Sequence, residues 1–226
     1  MRAQPAHMTN GIVVAAALAF AGALLTGTSA VFAYAAGFIP ARLVEPGLLA
    51  GVGLPIPPVP VWLTPISSGF VHAGWLHLIF NLMTLLFCGR QVEEVLGGRL
   101  LLLLYIVGAY AAAAGQWALA PHSTVPMIGA SGAISAIIGA YALIYSNQEV
   151  RAIGPVPAYF VRMLWLGAGW IAIQGMIAIA GMGGIKADGI ELGQIAIGAH
   201  IGGFVAGMAM TRPLLRLRFR LNGAGD

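Results

Sequence analysis

"IGASGAISAI", Ile128–Ile137, places two hydroxyls, Ser131 and Ser135, among glycines, alanines and isoleucines, with no charge in the run. Such a stretch suits hydrocarbon, where a spanning backbone must satisfy its own polar groups within helices or a closed barrel. The rest of the chain reads the same way. Hydrophobic residues make up 59% and charged residues 8%, with mean hydropathy +0.90, against roughly 25% charged in soluble domains. About 20 apolar residues cross a bilayer as a helix, and runs of that kind lie at about 11–37, 68–88, 100–120, 127–146, 161–182 and 193–211. The expected fold is all-α: a polytopic membrane protein with six transmembrane helices in one domain over 1–226. An outer loop at 38–67 and a basic tail at 212–226 complete the plan.

The first run follows Arg2 and ends in small residues, as a secretory signal does, but a signal's apolar core is only about 7–15 residues. It is read as a retained span. Arg2, Arg90, Arg99, Arg151, Arg162, Arg212, Arg216, Arg218 and Arg220 fall on one side of a six-span plan, and Arg42 and Lys186 on the other. By the positive-inside rule both termini are cytoplasmic. The net charge of +4 then reflects helix ends and the tail, so no nucleic-acid partner is implied. "RPLLRLRFRL" in the tail suits an anionic lipid surface. In the loop, Pro55, Pro57, Pro58 and Pro60 deny a regular helix, and Trp62 favours an interfacial seat. Cys88, the lone cysteine, excludes an intrachain disulfide and reads as a packing residue.

Polar residues inside the spans are costly and therefore informative. They are His72, His77, Asn81, Ser131, Ser135, Gln174 and His200. Taken singly, a serine there bonds its own i−4 carbonyl and a histidine packs. Their glycine neighbours add a second reading. His200, Gly203 and Gly207 form one helical stripe, and Gly132 and Gly139 bracket Ser135 on another that begins at Ser131. Were the two stripes to face each other, the Ser131 hydroxyl and the His200 ring would come within hydrogen-bond reach, the arrangement of a nucleophile and its base. Ser131 also sits near a helix N-terminus, whose free N–H groups can donate to a developing oxyanion. His77 and Asn81, four apart, supply further donors. His72 is read as pointing elsewhere, tying the loop to the bundle. No carboxylate lies near enough to complete a triad: Glu191 precedes His200 by nine residues, about 13 Å of helix.

"GASGAI" at Gly129–Ile134, "AHIGGFVAG" at Ala199–Gly207, "HAGWLHLIFN" at His72–Asn81 and "EEVLG" at Glu93–Gly97 together resemble the rhomboid intramembrane serine proteases, in their compact six-helix bacterial form. The resemblance covers residues 64–211. It implies Ser131 as nucleophile and His200 as general base, with His77, Asn81 and the Ser131 amide lining an oxyanion hole. It implies Gly129, Gly132, Gly203 and Gly207 as packing glycines, and Glu93 as a brace on the loop side of the bundle. Two positions depart from the family pattern. Leu63-Thr64 or nearby Trp62 stand where a Trp-Arg pair is common, and Ser135 replaces an aromatic that packs on the histidine, leaving it free to hydrogen-bond into the site.

The implied reaction is hydrolysis of a peptide bond in or near the membrane-spanning segment of another protein. Its partners are such substrates and the lipid bilayer, with no cofactor and no metal. The fifth span, glycine-loosened at "LGAGW" and "GMGG", is read as a mobile gate. Two other classes fit the same composition: a catalytically inactive rhomboid-like binder of transmembrane clients, and a small transporter carrying solute along His72, His77, Asn81 and His200. The binder would lack the serine or the histidine. The transporter calls for broken helices in symmetric halves.

Overall fold

The computed structural model describes residues 6–145, 152–158, 160, 161, 164 and 196–223. Among them the chain is helical, with no strand beyond the isolated bridges Phe38–Met127 and Ile153–Val156. The helices are α1 (His7–Leu25), α2 (Ser29–Ala36), α3 (Val61–Phe70, in three short turns), α4 (Trp75–Leu96), α5 (Gly98–Leu119), α6 (Ser131–Ile144) and α7 (Ile197–Gly223). α1 and α5 are each long and apolar enough to cross a membrane, and α3 with α4 passes that test as a pair bent by 91°. The expected span at 161–182, with Gln174 and the gate glycines, lies outside the described residues except for Val161 and Leu164, as do Arg151 and Lys186.

Several boundaries differ from the hydropathy reading, each for a local reason. The run at 11–37 is two helices. α1 ends where Gly27 takes φ +67°, with Thr28 N–H donating to Ala23 O and Gly27 N–H to Leu24 O. This pair of bonds is the Schellman stop, which a residue without Cβ adopts at little cost. The run at 68–88 breaks at Val71–Gly74, and α4 then continues to Leu96. One wide π turn, Leu85–Gly89, interrupts it. The run at 127–146 becomes helical only at Ser131, because Gly129 sits at φ +103° and the preceding residues pair with the outer loop. The last run and the tail are a single helix to Gly223 that passes through Pro213. Leu214 is buried in the core, so the tail is not a separate anchor.

α6 is apolar all round, and it is buried on nearly every side, as a helix of that pattern should be. It lies between α5 and α7. In lipid, where side-chain burial drives no association, close backbone approach supplies the contact energy. A Cβ on Gly203 would strike the Gly132 carbonyl, one on Gly207 the Ala136 carbonyl, and one on Gly139 the Phe204 carbonyl. The two glycine stripes therefore do face each other. A second seam was not anticipated: Gly198 and Gly202 of α7 meet Gly115 and Ala111 of α5 with no room for a methyl. The i, i+4 spacing of that glycine pair was the available signal.

Candidate active site

Ser131 is the first residue of α6, so its amide belongs to the opening turn, whose N–H groups have no acceptor four residues back. Its position is set by the chain before it. Phe38 and Met127 exchange both backbone hydrogen bonds, at 3.0 and 2.8 Å. Gly129 N–H donates to Ser68 O at 2.9 Å, tying the loop to the end of α3. Ser68 was not anticipated; its burial beside Pro65 and Gly69 left no pattern in the sequence.

The His200 Nε2 and Ser131 Oγ atoms are 2.9 Å apart, and the two residues are 5% and 8% exposed. At that distance a neutral imidazole can accept the hydroxyl proton. The close approach of α6 and α7 at Gly132 and Gly203 makes the contact possible, since neither helix could bring its polar side chain in with a methyl at the seam. Ser135 is fully buried one turn along the same helix as Ser131. Its hydroxyl donates to the Ser131 carbonyl at 2.8 Å, one turn back along its own helix.

His77, from the first turns of α4, lies over Gly129. A Cβ there would fall 2.5 Å from the His77 Nε2, so the absence of a side chain lets the ring approach the loop that carries Ser131. Asn81 follows one turn later and is fully buried. Its amide donates to the His77 carbonyl at 2.8 Å, while its oxygen finds no partner among the described residues. His72 does not point away. Its ring meets that of His77 edge-on, with centroids 5.2 Å apart, because the bend at Val71–Gly74 folds the loop back over α4.

Glu93 corrects another expectation. Its carboxylate accepts from the backbone N–H of Met8 and Thr9 and from the Thr9 hydroxyl, at 2.9, 2.8 and 2.6 Å. It caps the N-terminus of α1, the end remote from the outer loop, and so braces the opposite side of the bundle. Met8 and Thr9 were not anticipated, since no local pattern links them to a carboxylate 85 and 84 residues away.

The Rhomboid domain model matches residues 60–217, a stretch that holds α3, α4, α5, α6, most of α7 and every group just described except Phe38 and the α1 contacts. Rhomboid-like protein 11, chloroplastic, of Arabidopsis thaliana is 29% identical over 154 residues, covering 67% of this chain and 52% of its own. The rhomboid protease GlpG of Yersinia pestis (strain Pestoides F) is 31% identical over 147 residues, covering 65% of this chain and 46% of its own. The GlpG of Yersinia enterocolitica gives the same identity over the same length. The chain thus spans about half the length of the curated relatives it matches. With the domain match covering well over half of the polypeptide and the apolar helices able to cross a bilayer, this chain is an integral membrane protein of the rhomboid family.

Proposed function

We propose that this protein is an intramembrane serine protease that cleaves other membrane proteins in or near their spanning segments, using Ser131 and His200 as a dyad. The observation that carries the reading is the 2.9 Å contact between the Ser131 hydroxyl and the His200 ring in a buried seam. His200 Nε2 takes the hydroxyl proton as Oγ attacks the scissile carbonyl carbon, and the carbonyl π electrons move to oxygen. The C–N bond then breaks, and the same nitrogen returns the proton to the departing amine. Water, deprotonated by His200, attacks the acyl ester and releases the new carboxyl terminus and the serine.

The developing oxyanion is held by the first-turn amide at Ser131 together with His77 and Asn81. Each such donor contributes a few kcal/mol when water is excluded. The second amide hydrogen of Asn81 is the one available, since the first serves the His77 carbonyl. Gly129, Gly132, Gly203 and Gly207 hold the helices close, and His72 backs His77. An intact substrate helix hides its carbonyls, so cleavable segments carry helix-weakening residues. The arginines at Arg90, Arg99, Arg212, Arg216, Arg218 and Arg220 support cytoplasmic termini in a bacterial plasma membrane.

The test is labelling of the reconstituted protein by a fluorophosphonate probe, combined with mass-spectrometric mapping of a single-span substrate. Covalent labelling and cleavage that both vanish in Ser131→Ala bear out the assignment. Cleavage that survives in Ser131→Ala overturns it, and client binding with neither labelling nor cleavage points to an inactive binder.

A further inference from the structure

A cavity of about 500 Å³ lies between α1, α2 and the turn that ends α3. It is within the roughly 300–1,000 Å³ range of small-molecule sites, and no side chain among the described residues fills it. Its walls are graded. Along α1 the lining passes from Leu18 and Phe20 to Thr26 and Ser29 where the helix stops, and Ser67, Phe70 and His72 line it from the end of α3 and the turn after it. From Leu18 to Thr26 is about 12 Å of helix, roughly half the hydrocarbon core. Leu18 and Phe32, 67% and 38% exposed, stand at its border.

A void of this size forfeits the packing contacts of its lining, so something fills it. Water is a poor filler for apolar walls. α1 is a membrane-crossing helix, so the neighbouring phase is the bilayer. The gradient, apolar toward the midplane and hydroxyl-bearing toward the surface, matches a lipid tail joined to its ester. We infer that one acyl chain of a bilayer phospholipid occupies this cavity as a fixed component, its methylenes on Phe20 and Phe70 and its ester near Thr26 and Ser29.

The position has a consequence for the neighbouring centre. His72 lines the cavity and meets His77 edge-on, and His77 lies over Gly129. The His72 ring nitrogens find no hydrogen-bond partner among the described residues, and the Phe70 carbonyl near them does not meet hydrogen-bond geometry. Packing against the His77 ring helps to fix this ring. A chain in the cavity supplies the side of that packing which the protein leaves open.

The test uses the full chain in phosphatidylethanolamine–phosphatidylglycerol vesicles containing a phosphatidylethanolamine with a diazirine near the end of one acyl chain. Irradiation is expected to label the segment Leu18–Phe32 and the Phe70–Val71 pair above the other lipid-facing surfaces. Gly22 lines the cavity and has nothing within 4 Å of a built Cβ, so Gly22→Phe fills the space without a clash at that carbon. It should lower this labelling to that of the other lipid-facing surfaces, because a filled space excludes the chain sterically. Should Gly22→Phe fail to fold, Ala19→Phe projects into the same space. Native mass spectrometry from detergent should find one retained phospholipid in the unaltered protein and none in the filled variant. Labelling spread evenly over α1, or unchanged in both filled variants, overturns the proposal. So does labelling suppressed by an added single-span peptide, which would assign the cavity to polypeptide. None of these readouts depends on proteolysis.

Discussion

Glu93 and Thr9, 84 residues apart, are joined by two hydrogen bonds, 2.8 Å from the Thr9 backbone N–H and 2.6 Å from its hydroxyl. With the Met8 N–H at 2.9 Å, the carboxylate answers two of the orphan donors at the start of α1. Both residues are buried, so removing the carboxylate strands donors with no water to replace it. Glu93→Ala should cost about 2–4 kcal/mol, given about 1.5–3 kcal/mol for a hydrogen bond to a charged group. Thr9→Val, which removes only the hydroxyl, should cost about 1 kcal/mol. Thermal unfolding in detergent checks both; equal small losses would refute the capping role.

Methyl groups at the helix seams have nowhere to go. A Cβ on Gly203 or Gly207 would run into backbone carbonyls of α6, which cannot rotate away as a flexible side chain would. Gly203→Ala and Gly207→Ala should each destabilise by about 1–3 kcal/mol and lower labelling of Ser131 by a fluorophosphonate. Gly11→Ala, placed where nothing lies within 4 Å, should leave stability unchanged or raise it by about 0.4–1 kcal/mol. A similar loss at all three positions would show that the seams are not the cause.

On the proposed mechanism, Ser131→Ala and His200→Ala should each reduce cleavage of a single-span substrate by at least about 10³-fold, and the double variant should be scarcely worse, as residues acting as one unit are not additive. Kinetics in vesicles measure this. Independent, multiplying losses would separate the two residues.

Tyr105 offers the opposite case. Its hydroxyl is buried without a partner among the described residues, close to where a Gly69 side chain would sit. Tyr105→Phe removes an unsatisfied polar group and should be neutral or stabilising, by up to about 1 kcal/mol. A loss above that in thermal unfolding would reveal an unseen hydrogen bond.

Much of this arrangement was legible in the chain itself. Composition and run lengths announced a helical membrane protein, and the glycine spacings around Ser131 and His200 indicated which faces meet. What composition could not reveal was local stereochemistry. Gly27 divides an unbroken apolar run because a left-handed residue ends a helix whatever its hydropathy. The break before Trp75 brings His72 onto His77, which helical spacing alone would have kept apart. Ser135 bonds the i−4 carbonyl of its own helix, the ordinary habit of a serine in a membrane helix. Glu93 was noticed as a charge in an apolar setting, but its partners lie at the far end of the sequence, where no pattern links them.

The π turn at Leu85–Gly89 sets a rotational phase. It inserts the equivalent of one extra residue between the half of α4 that carries His77 and Asn81 and the half that carries Glu93. Because the wide turn takes up that residue, the two halves keep nearly the phase of an uninterrupted helix one residue shorter, whereas a deletion in the regular winding on either side would swing one half against the other by about 100°. A one-residue deletion inside Leu85–Gly89 should therefore leave Glu93 on α1 and Asn81 in place together, while the same deletion a turn away on either side should be as damaging as losing either polar residue outright.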